Sequence, residues 1–223
     1  NIAGFVRMKV NAPKGTQITL EHCEILDKQG NFFNNIQGAG GVGKGVDQKD
    51  VYVCDGTSAT YEPHFTYHGF RYVRVTGIEP KAEDFTACVV STEKENLGTF
   101  KTSDERLNRL YKNIRWSQCA NMLSVPTDCP QREKAGWTGD MLVYSRTALL
   151  NEDCTAFFTR WLYNMECDQD EYGIIPMVVP QDGNYPSMGK LMSMMYGVKG
   201  SGTSSGWGDA AVVVPYSMYE ITG

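Results

Sequence analysis

One stretch decides the fold of this chain: Val125-Pro126-Thr127-Asp128-Cys129-Pro130-Gln131-Arg132-Glu133-Lys134-Ala135-Gly136-Trp137-Thr138-Gly139-Asp140. Its prolines and glycines prevent most of it from forming an ordinary helix. It concentrates three carboxylates, one guanidinium and one indole, namely Asp128, Glu133, Asp140, Arg132 and Trp137. Carboxylates beside a flat aromatic side chain on a stiff, irregular loop suit the binding and protonation of a sugar. On composition alone, a polar loop with a helix cap explains the same residues equally well.

The composition is that of a globular protein and argues against two classes of partner. The chain has 223 residues and a net charge of -5, from 21 basic and 26 acidic residues. It contains no basic run, so nucleic acids and acidic membrane surfaces are poor partners. No apolar stretch approaches the roughly 20 residues that span a bilayer. The chain opens at Asn1 without an initiator methionine, which we interpret as the inside of a longer protein.

The cysteines argue against a fold that is stabilised by disulfides or by a structural metal ion. They are odd in number, widely spread and free of any Cys-x-x-Cys pair: Cys23, Cys54, Cys88, Cys119, Cys129, Cys154 and Cys167. We therefore predict no disulfide framework, no metal site and no cofactor. Mostly small buried thiols are typical of a reducing compartment, which favours the cytoplasm over the periplasm or an exported location.

The hydrophobic period changes once along the chain. Alternating runs such as Phe5–Val10 and turn residues predict an antiparallel β-sandwich over residues 1–95. Residues 96–223 instead carry helical stripes, with helices predicted from Thr102, from near Asp140, over Glu152–Met165 and from near Asp209. Gln181–Ser205 is rich in Gly, Ser and Met, and a loop of that length is predicted to form the rim of a binding site. The sequence thus predicts a β domain followed by a helical domain.

Three collinear segments carry a family resemblance that covers most of the chain. The segment Asp128–Asp140 resembles the signature of bacterial α-L-rhamnosidases, glycoside hydrolase family 78. Tyr61–Tyr72 is similar to the end of that family's β-sandwich, and Gly206–Ala211 to a helix start that lines its active site. The family form has Asp and Glu side by side after the arginine, whereas here Glu133 stands alone before Lys134, which leaves the loop one residue short.

The resemblance implies the fold and also its incompleteness. It implies an antiparallel β-sandwich followed by the start of an (α/α)6 toroid of twelve helices. This chain offers about four helices, and the catalytic base of the family lies in later ones. The resemblance therefore implies a fragment, which alone should be inactive.

The resemblance also implies an inverting mechanism, which gives one carboxylate a role. In such enzymes one carboxylic acid protonates the leaving oxygen, and a second carboxylate, about 6.5–9.5 Å away, activates water. Aligned on Gly136-Trp137, Glu133 keeps the position of the general acid. The alternative is that Glu133 only pairs with Arg132 or Lys134 at the surface.

The remaining candidates are expected to bind a rhamnose-containing glycan or glycoside. Carboxylates accept hydrogen bonds from sugar hydroxyls, a role expected for Asp128 and Asp140, and a helix cap is an equal alternative for Asp140. Trp137 and Trp207 offer flat apolar faces to a 6-deoxy sugar. Arg132 is expected at the same site, where it holds a carboxylate by a bidentate contact.

Several other residues have simpler interpretations, and two other functions stay open. Trp116 and Trp161 lie on helical stripes and are predicted to be core. His64 and His68 lack a third ligand in the sequence, so a structural role is favoured over a metal pair. The alternative functions are a non-catalytic carbohydrate-binding β-sandwich module and an (α/α)6 glycosidase of other sugar specificity.

Overall fold

The computed structural model describes residues 1–33, 36, 48–181 and 204–223. The chain divides into two compact units. The β unit comprises Asn1–Ser91 with Cys129–Lys134, and the helical unit comprises Thr92–Asp128 with Ala135–Gly223. The loop predicted to form a rim, Gln181–Ser205, lies outside the described residues except at its ends.

The β unit is built from antiparallel strands in two main sheets. One sheet has the order β6-β1-β7, with β9 also paired to β1, and the other has the order β5-β2-β8. The strands are β1 Ile2–Val10, β2 Gln17–Cys23, β3 Ile25–Leu26, β4 Phe32–Phe33, β5 Lys49–Val53, β6 Ala59–Tyr61, β7 His68–Phe70, β8 Tyr72–Thr76 and β9 Phe85–Val89. Strands β3 and β4 form a separate short pair, and a 3-10 turn, Ala82–Asp84, precedes β9.

Alternation along the strands places one core between the two main sheets. In β1, Val6 and Met8 are buried while Arg7 and Lys9 are exposed, as expected for side chains that alternate between faces. Apolar side chains of β1 and β2 join one buried cluster that includes Val6, Met8, Val10, Ile18 and Leu20. The predicted antiparallel sandwich is confirmed.

The helical unit begins with a helix whose cap differs from the predicted one. Its helices are α1 Glu105–Asn121, α2 Thr138–Asn151, α3 Thr155–Cys167 and α4 Ala210–Thr222, with a short hairpin of β10 Met122–Leu123 and β11 Val125–Pro126 after α1. The cap of α1 is Asp104, whose Oδ1 accepts from Arg106 N at 2.9 Å. Thr102 instead accepts from Asp104 N, at 3.1 Å, so the predicted capping box is wrong by two residues.

Helices α2, α3 and α4 supply most of the apolar core of this unit. Trp161 and Phe158 of α3 are fully buried in it, together with Leu149 and Val214. Trp116 of α1, predicted to be core, is 50% exposed, because α1 turns that face away from the described core. Among the described residues, no helix combines the length and the apolarity needed to cross a membrane.

Candidate functional site

Three of the predicted site residues meet at one cleft of the helical unit. Asp128, Trp137 and Asp140 line a cleft of about 250 Å³, together with Met141 and Tyr144 of α2. A hydroxyl, a thioether and an indole beside two carboxylates make this cleft amphipathic, as sugar sites are. Burial raises the pKa of the Tyr144 hydroxyl to about 12, so this group stays a neutral hydrogen-bonding partner in the cleft. The sugar-binding roles of the two carboxylates remain predictions.

Asp128 also closes the base of the loop that follows it. Its Oδ1 accepts from Ala135 N at 3.1 Å, and its own N–H donates to the Ala135 carbonyl oxygen at 3.1 Å. These two hydrogen bonds bring the residues on either side of Cys129–Lys134 together. The sequence predicted contacts of this carboxylate with the sugar and did not predict that one of its oxygens accepts a hydrogen bond from the backbone.

The first turn of α2 presents Trp137 and Asp140. The N-cap residue is Trp137, not Asp140, and an indole has no acceptor with which to cap a helix. Asp140 is therefore not the N-cap residue: its carboxylate lies exposed in the first turn of the helix, where the helix dipole stabilises its charge. Thr138 anchors the turn, since its N–H donates to the Met177 carbonyl oxygen at 2.8 Å.

Trp207 packs against the same turn of α2. A Cβ added to Gly139 would lie 2.7 Å from Nε1 and Cε2 of the Trp207 indole. The indole thus lies flat over a residue without a side chain, and it is 38% exposed. It does not line the cleft described above, so its proposed contact with substrate is a separate prediction.

Gly136 is required by a close approach of backbone. An added Cβ would lie 1.9 Å from the Val179 carbonyl oxygen, and the Gly136 carbonyl oxygen accepts from Val179 N at 2.9 Å.

We expect Gly136→Ala to destabilise the helical unit by about 1–3 kcal/mol, because backbone rather than a flexible side chain must shift. Chemical denaturation followed by circular dichroism measures this loss. Gly98→Ala is the matched control, since its Cβ would meet nothing within 4 Å, and equal losses in the two variants would contradict the prediction.

The segment that carries Glu133 belongs to the β unit rather than to the helical unit. Arg132 Nη2 lies 2.6 Å from Glu133 Oε1, with side-chain exposures of 41% and 27%. The surface pairing that stood as the alternative interpretation is therefore present in this structure. A partly exposed pair contributes little to stability, so its main effect is to fix where the carboxylate lies. Cys129 supports the same turn, because its Sγ accepts from Glu133 N at 3.2 Å.

Three contacts within the β unit anchor this segment, which we call the acid loop (Cys129–Lys134). Gln131 Nε2 donates to Glu24 Oε2 at 3.0 Å. The backbone of Gln131 passes so close to Gly69 that an added Cβ would lie 2.9 Å from it. Lys134 donates to the Tyr67 carbonyl oxygen and lies 4.4 Å above the Tyr67 ring. Burial lowers the pKa of this lysine. Glu133 is thus flanked by anchored residues.

Family models match both parts of the chain. The model of the bacterial alpha-L-rhamnosidase 6 hairpin glycosidase domain matches residues 95–223, and that of the bacterial alpha-L-rhamnosidase concanavalin-like domain matches residues 1–91. An alpha-L-rhamnosidase of Streptomyces avermitilis is 37% identical over 228 residues, which cover 100% of this chain and 20% of that protein.

Solved structures agree with these matches. The crystal structure of the Streptomyces avermitilis α-L-rhamnosidase complexed with L-rhamnose has a TM-score of 0.83 at 38% identity, covering 98% of this chain and 20% of the other. The native α-L-rhamnosidase of Aspergillus terreus has a TM-score of 0.82 at 34% identity, covering 99% and 24%. The six-hairpin match confirms that the helices form the start of an (α/α)6 toroid. The chain spans about a fifth of the length of the relatives that it matches.

Proposed function

Because this chain belongs to the family of bacterial α-L-rhamnosidases, we propose that it carries the general acid and part of the sugar site of an inverting glycosidase that releases terminal α-L-rhamnose from glycans or glycosides. The match over residues 95–223 carries this proposal, since that range contains the cleft with Asp128, Trp137 and Asp140. The name and the bound sugar of the Streptomyces avermitilis structure support rhamnose as the sugar.

In the proposed reaction each side chain has one task. Glu133 gives its proton to the glycosidic oxygen as the bond to the anomeric carbon breaks, which removes the cost of expelling an alkoxide. Asp140 and Asp128 accept hydrogen bonds from sugar hydroxyls. The indole of Trp137 contacts the apolar face of the 6-deoxy ring. The carboxylate that activates water is supplied from outside these 223 residues.

A panel of aryl glycosides tests the proposal in the protein that carries this chain. We expect turnover of the aryl α-L-rhamnoside and at least tenfold lower kcat/KM for aryl glycosides of other sugars. Proton NMR of the first product formed should show the β-anomer of rhamnose, as inversion requires. Preference for another sugar would support a toroidal glycosidase of different specificity, and binding without turnover would support a non-catalytic module.

A second prediction concerns Lys134, which anchors the acid loop to Tyr67. Lys134→Met removes the donor to the Tyr67 carbonyl oxygen and the cation above the Tyr67 ring while keeping an unbranched chain. We expect kcat to fall about tenfold with KM little changed, because a small displacement of the acid loop misplaces the proton donor without altering the cleft. Steady-state kinetics on an alkyl rhamnoside, whose leaving group needs protonation, separate the two parameters.

Two further variants control this experiment. Lys134→Arg should recover much of kcat, since a guanidinium can also donate to a carbonyl and lie over a ring. Lys101→Met, at an exposed lysine of the helical unit, should leave both parameters unchanged. If Lys134→Met had the same kcat and KM as Lys101→Met, the position of the acid loop would not depend on the contacts of Lys134.

A further inference from the structure

Two histidines and one aspartate form a buried cluster inside the β unit. His22 lies on β2, Asp50 on β5 and His68 on β7, so the cluster joins strands of both main sheets. All three residues are buried, and the two imidazole rings stack with centroids 4.1 Å apart. His68 therefore finds its partners in His22 and Asp50, whereas His64, the partner considered from the sequence, is exposed.

Hydrogen bonding fixes the tautomer of His22. Its Nδ1 lies 3.1 Å from the carbonyl oxygen of Gln48, and because a carbonyl only accepts, Nδ1 carries the hydrogen. His22 Nε2 is then an acceptor, and it lies 3.9 Å from Oδ2 of the Asp50 carboxylate. Even a protonated Nε2 would be too far from that oxygen for a hydrogen bond.

Three buried polar atoms of the cluster have no hydrogen-bond partner among the described residues: His22 Nε2, Asp50 Oδ2 and His68 Nδ1. Buried polar atoms without partners are rare in folded proteins, because each has lost its hydrogen bonds to water without gaining others. Two acceptors so close together are less favourable still. A positively charged atom bound between His22 Nε2 and the carboxylate would satisfy both.

The ligand atoms suit a transition metal. One atom from each of the three residues lies within 4.8 Å of the others, and His68 Nε2 is 2.9 Å from Asp50 Oδ1. Tetrahedral Zn²⁺ places neighbouring N and O ligands about 3.3 Å apart, a spacing between the 2.9 Å and 3.9 Å found here. Metal-bound histidines commonly donate their other ring N–H to a backbone carbonyl, as His22 donates to Gln48.

The backbone beside the cluster is also held in place. The side chain of Gln48 accepts from Gly69 N and donates to the Gly69 carbonyl oxygen, each at 3.0 Å. Gly69 follows His68 directly. The main-chain carbonyl of Gln48 therefore fixes the tautomer of His22, and the side-chain amide of Gln48 fixes the strand that carries His68. Such an outer layer is what orients metal ligands in proteins.

We propose that His22, Asp50 and His68 bind a divalent transition-metal ion inside the β unit, with Zn²⁺ as the best fit to two imidazoles and one carboxylate. On binding, His68 moves its proton from Nε2 to Nδ1, which frees the Nε2 lone pair. The two imidazoles and one oxygen of Asp50 then hold three tetrahedral positions, and a water molecule takes the fourth. Because its ligands come from three strands in two sheets, the ion cross-links the sandwich, a role independent of the proposed glycosidase activity.

Metal analysis of the purified, tag-free protein tests this proposal. We expect His22→Gln to contain about one equivalent of zinc less than the wild type, and His64→Gln, which changes an exposed histidine, to keep the wild-type content. A chelator should lower the melting temperature of the wild type, and added Zn²⁺ should restore it. Equal zinc content in wild type, His22→Gln and His64→Gln, with all three folded, would overturn the site.

A measurement on the wild type alone covers the case in which His22→Gln does not fold. Co²⁺ added to the chelated protein should give visible absorption bands of tetrahedral nitrogen and oxygen coordination, saturating at one equivalent for this site. Excess Zn²⁺ should abolish these bands. A chelated protein that takes up no Co²⁺ and shows no change in melting temperature with Zn²⁺ would refute the proposal.

Discussion

In the full-length protein that carries this chain, Glu133→Gln should lower kcat on a natural rhamnoside by about 10²–10⁴-fold, the range typical of a lost general acid. Glutamine keeps the size of the side chain and its position in the acid loop, but it has no acidic proton to give. The effect should depend on the leaving group. An activated aryl rhamnoside, whose phenolate departs without protonation, should lose far less than an alkyl rhamnoside, and single-turnover kinetics on the two substrates measure the difference.

The control for this experiment is an acidic residue away from the acid loop. Glu83→Gln changes an exposed carboxylate in the 3-10 turn of the β unit, and it should leave turnover of both substrates unchanged. A Glu133→Gln enzyme with near-normal turnover of the alkyl rhamnoside would remove Glu133 from the mechanism. It would then leave the ion pair with Arg132 as the whole role of this residue.

Trp161→Ala should have the largest effect on stability, a loss of about 3–5 kcal/mol in the helical unit. The indole is fully buried in the core cluster that α3 shares with side chains of α2 and α4, so alanine would leave a cavity that the surroundings only partly fill. It would also remove the donor to the Val179 carbonyl oxygen, now 2.9 Å from Nε1. The Val179 carbonyl oxygen lies close to Gly136, so the loss of this hydrogen bond would also destabilise the loop before α2.

Urea denaturation followed by far-ultraviolet circular dichroism measures this effect. Trp116→Ala, at the half-exposed tryptophan of α1, is the matched control and should cost less than about 1 kcal/mol. Trp161→Phe should fall between the two, because it keeps most of the apolar volume but loses some packing and the hydrogen bond to Val179. Equal losses at positions 116 and 161 would mean that the core of this unit is not centred on α3.

Local patterns were enough to predict the order of elements. Alternation in β1 and the apolar stripe of α3 arise from burial on one face, which periodicity records directly. Helix caps were less predictable. Thr102 and Asp104 lie only two positions apart in the sequence, and the side chain of either can accept a hydrogen bond from a backbone N–H. Periodicity also placed Trp116 on a buried stripe, although the extent of that stripe depends on which helices pack against it.

The parts of the candidate site that escaped prediction rest on contacts between distant positions. The anchoring of the acid loop depends on Gly69 and Glu24, which no spacing rule connects to Gln131. The cluster of His22 with Asp50 and His68 was missed for the same reason, since its members lie on three strands. Asp128, Trp137 and Asp140 were easier, because they flank one short loop and the helix that follows it.

The assignment of the acid loop to the β unit bears on how such enzymes can be recombined. A cut at the boundary in the sequence, near residue 92, would give an N-terminal piece without Cys129–Lys134 and a C-terminal piece without Gly69 and Tyr67. Exchange of the sandwich between two homologues would therefore replace the residues that anchor Glu133, the proposed proton donor. Chimeras should keep their activity only when the acid loop and the sandwich come from the same parent.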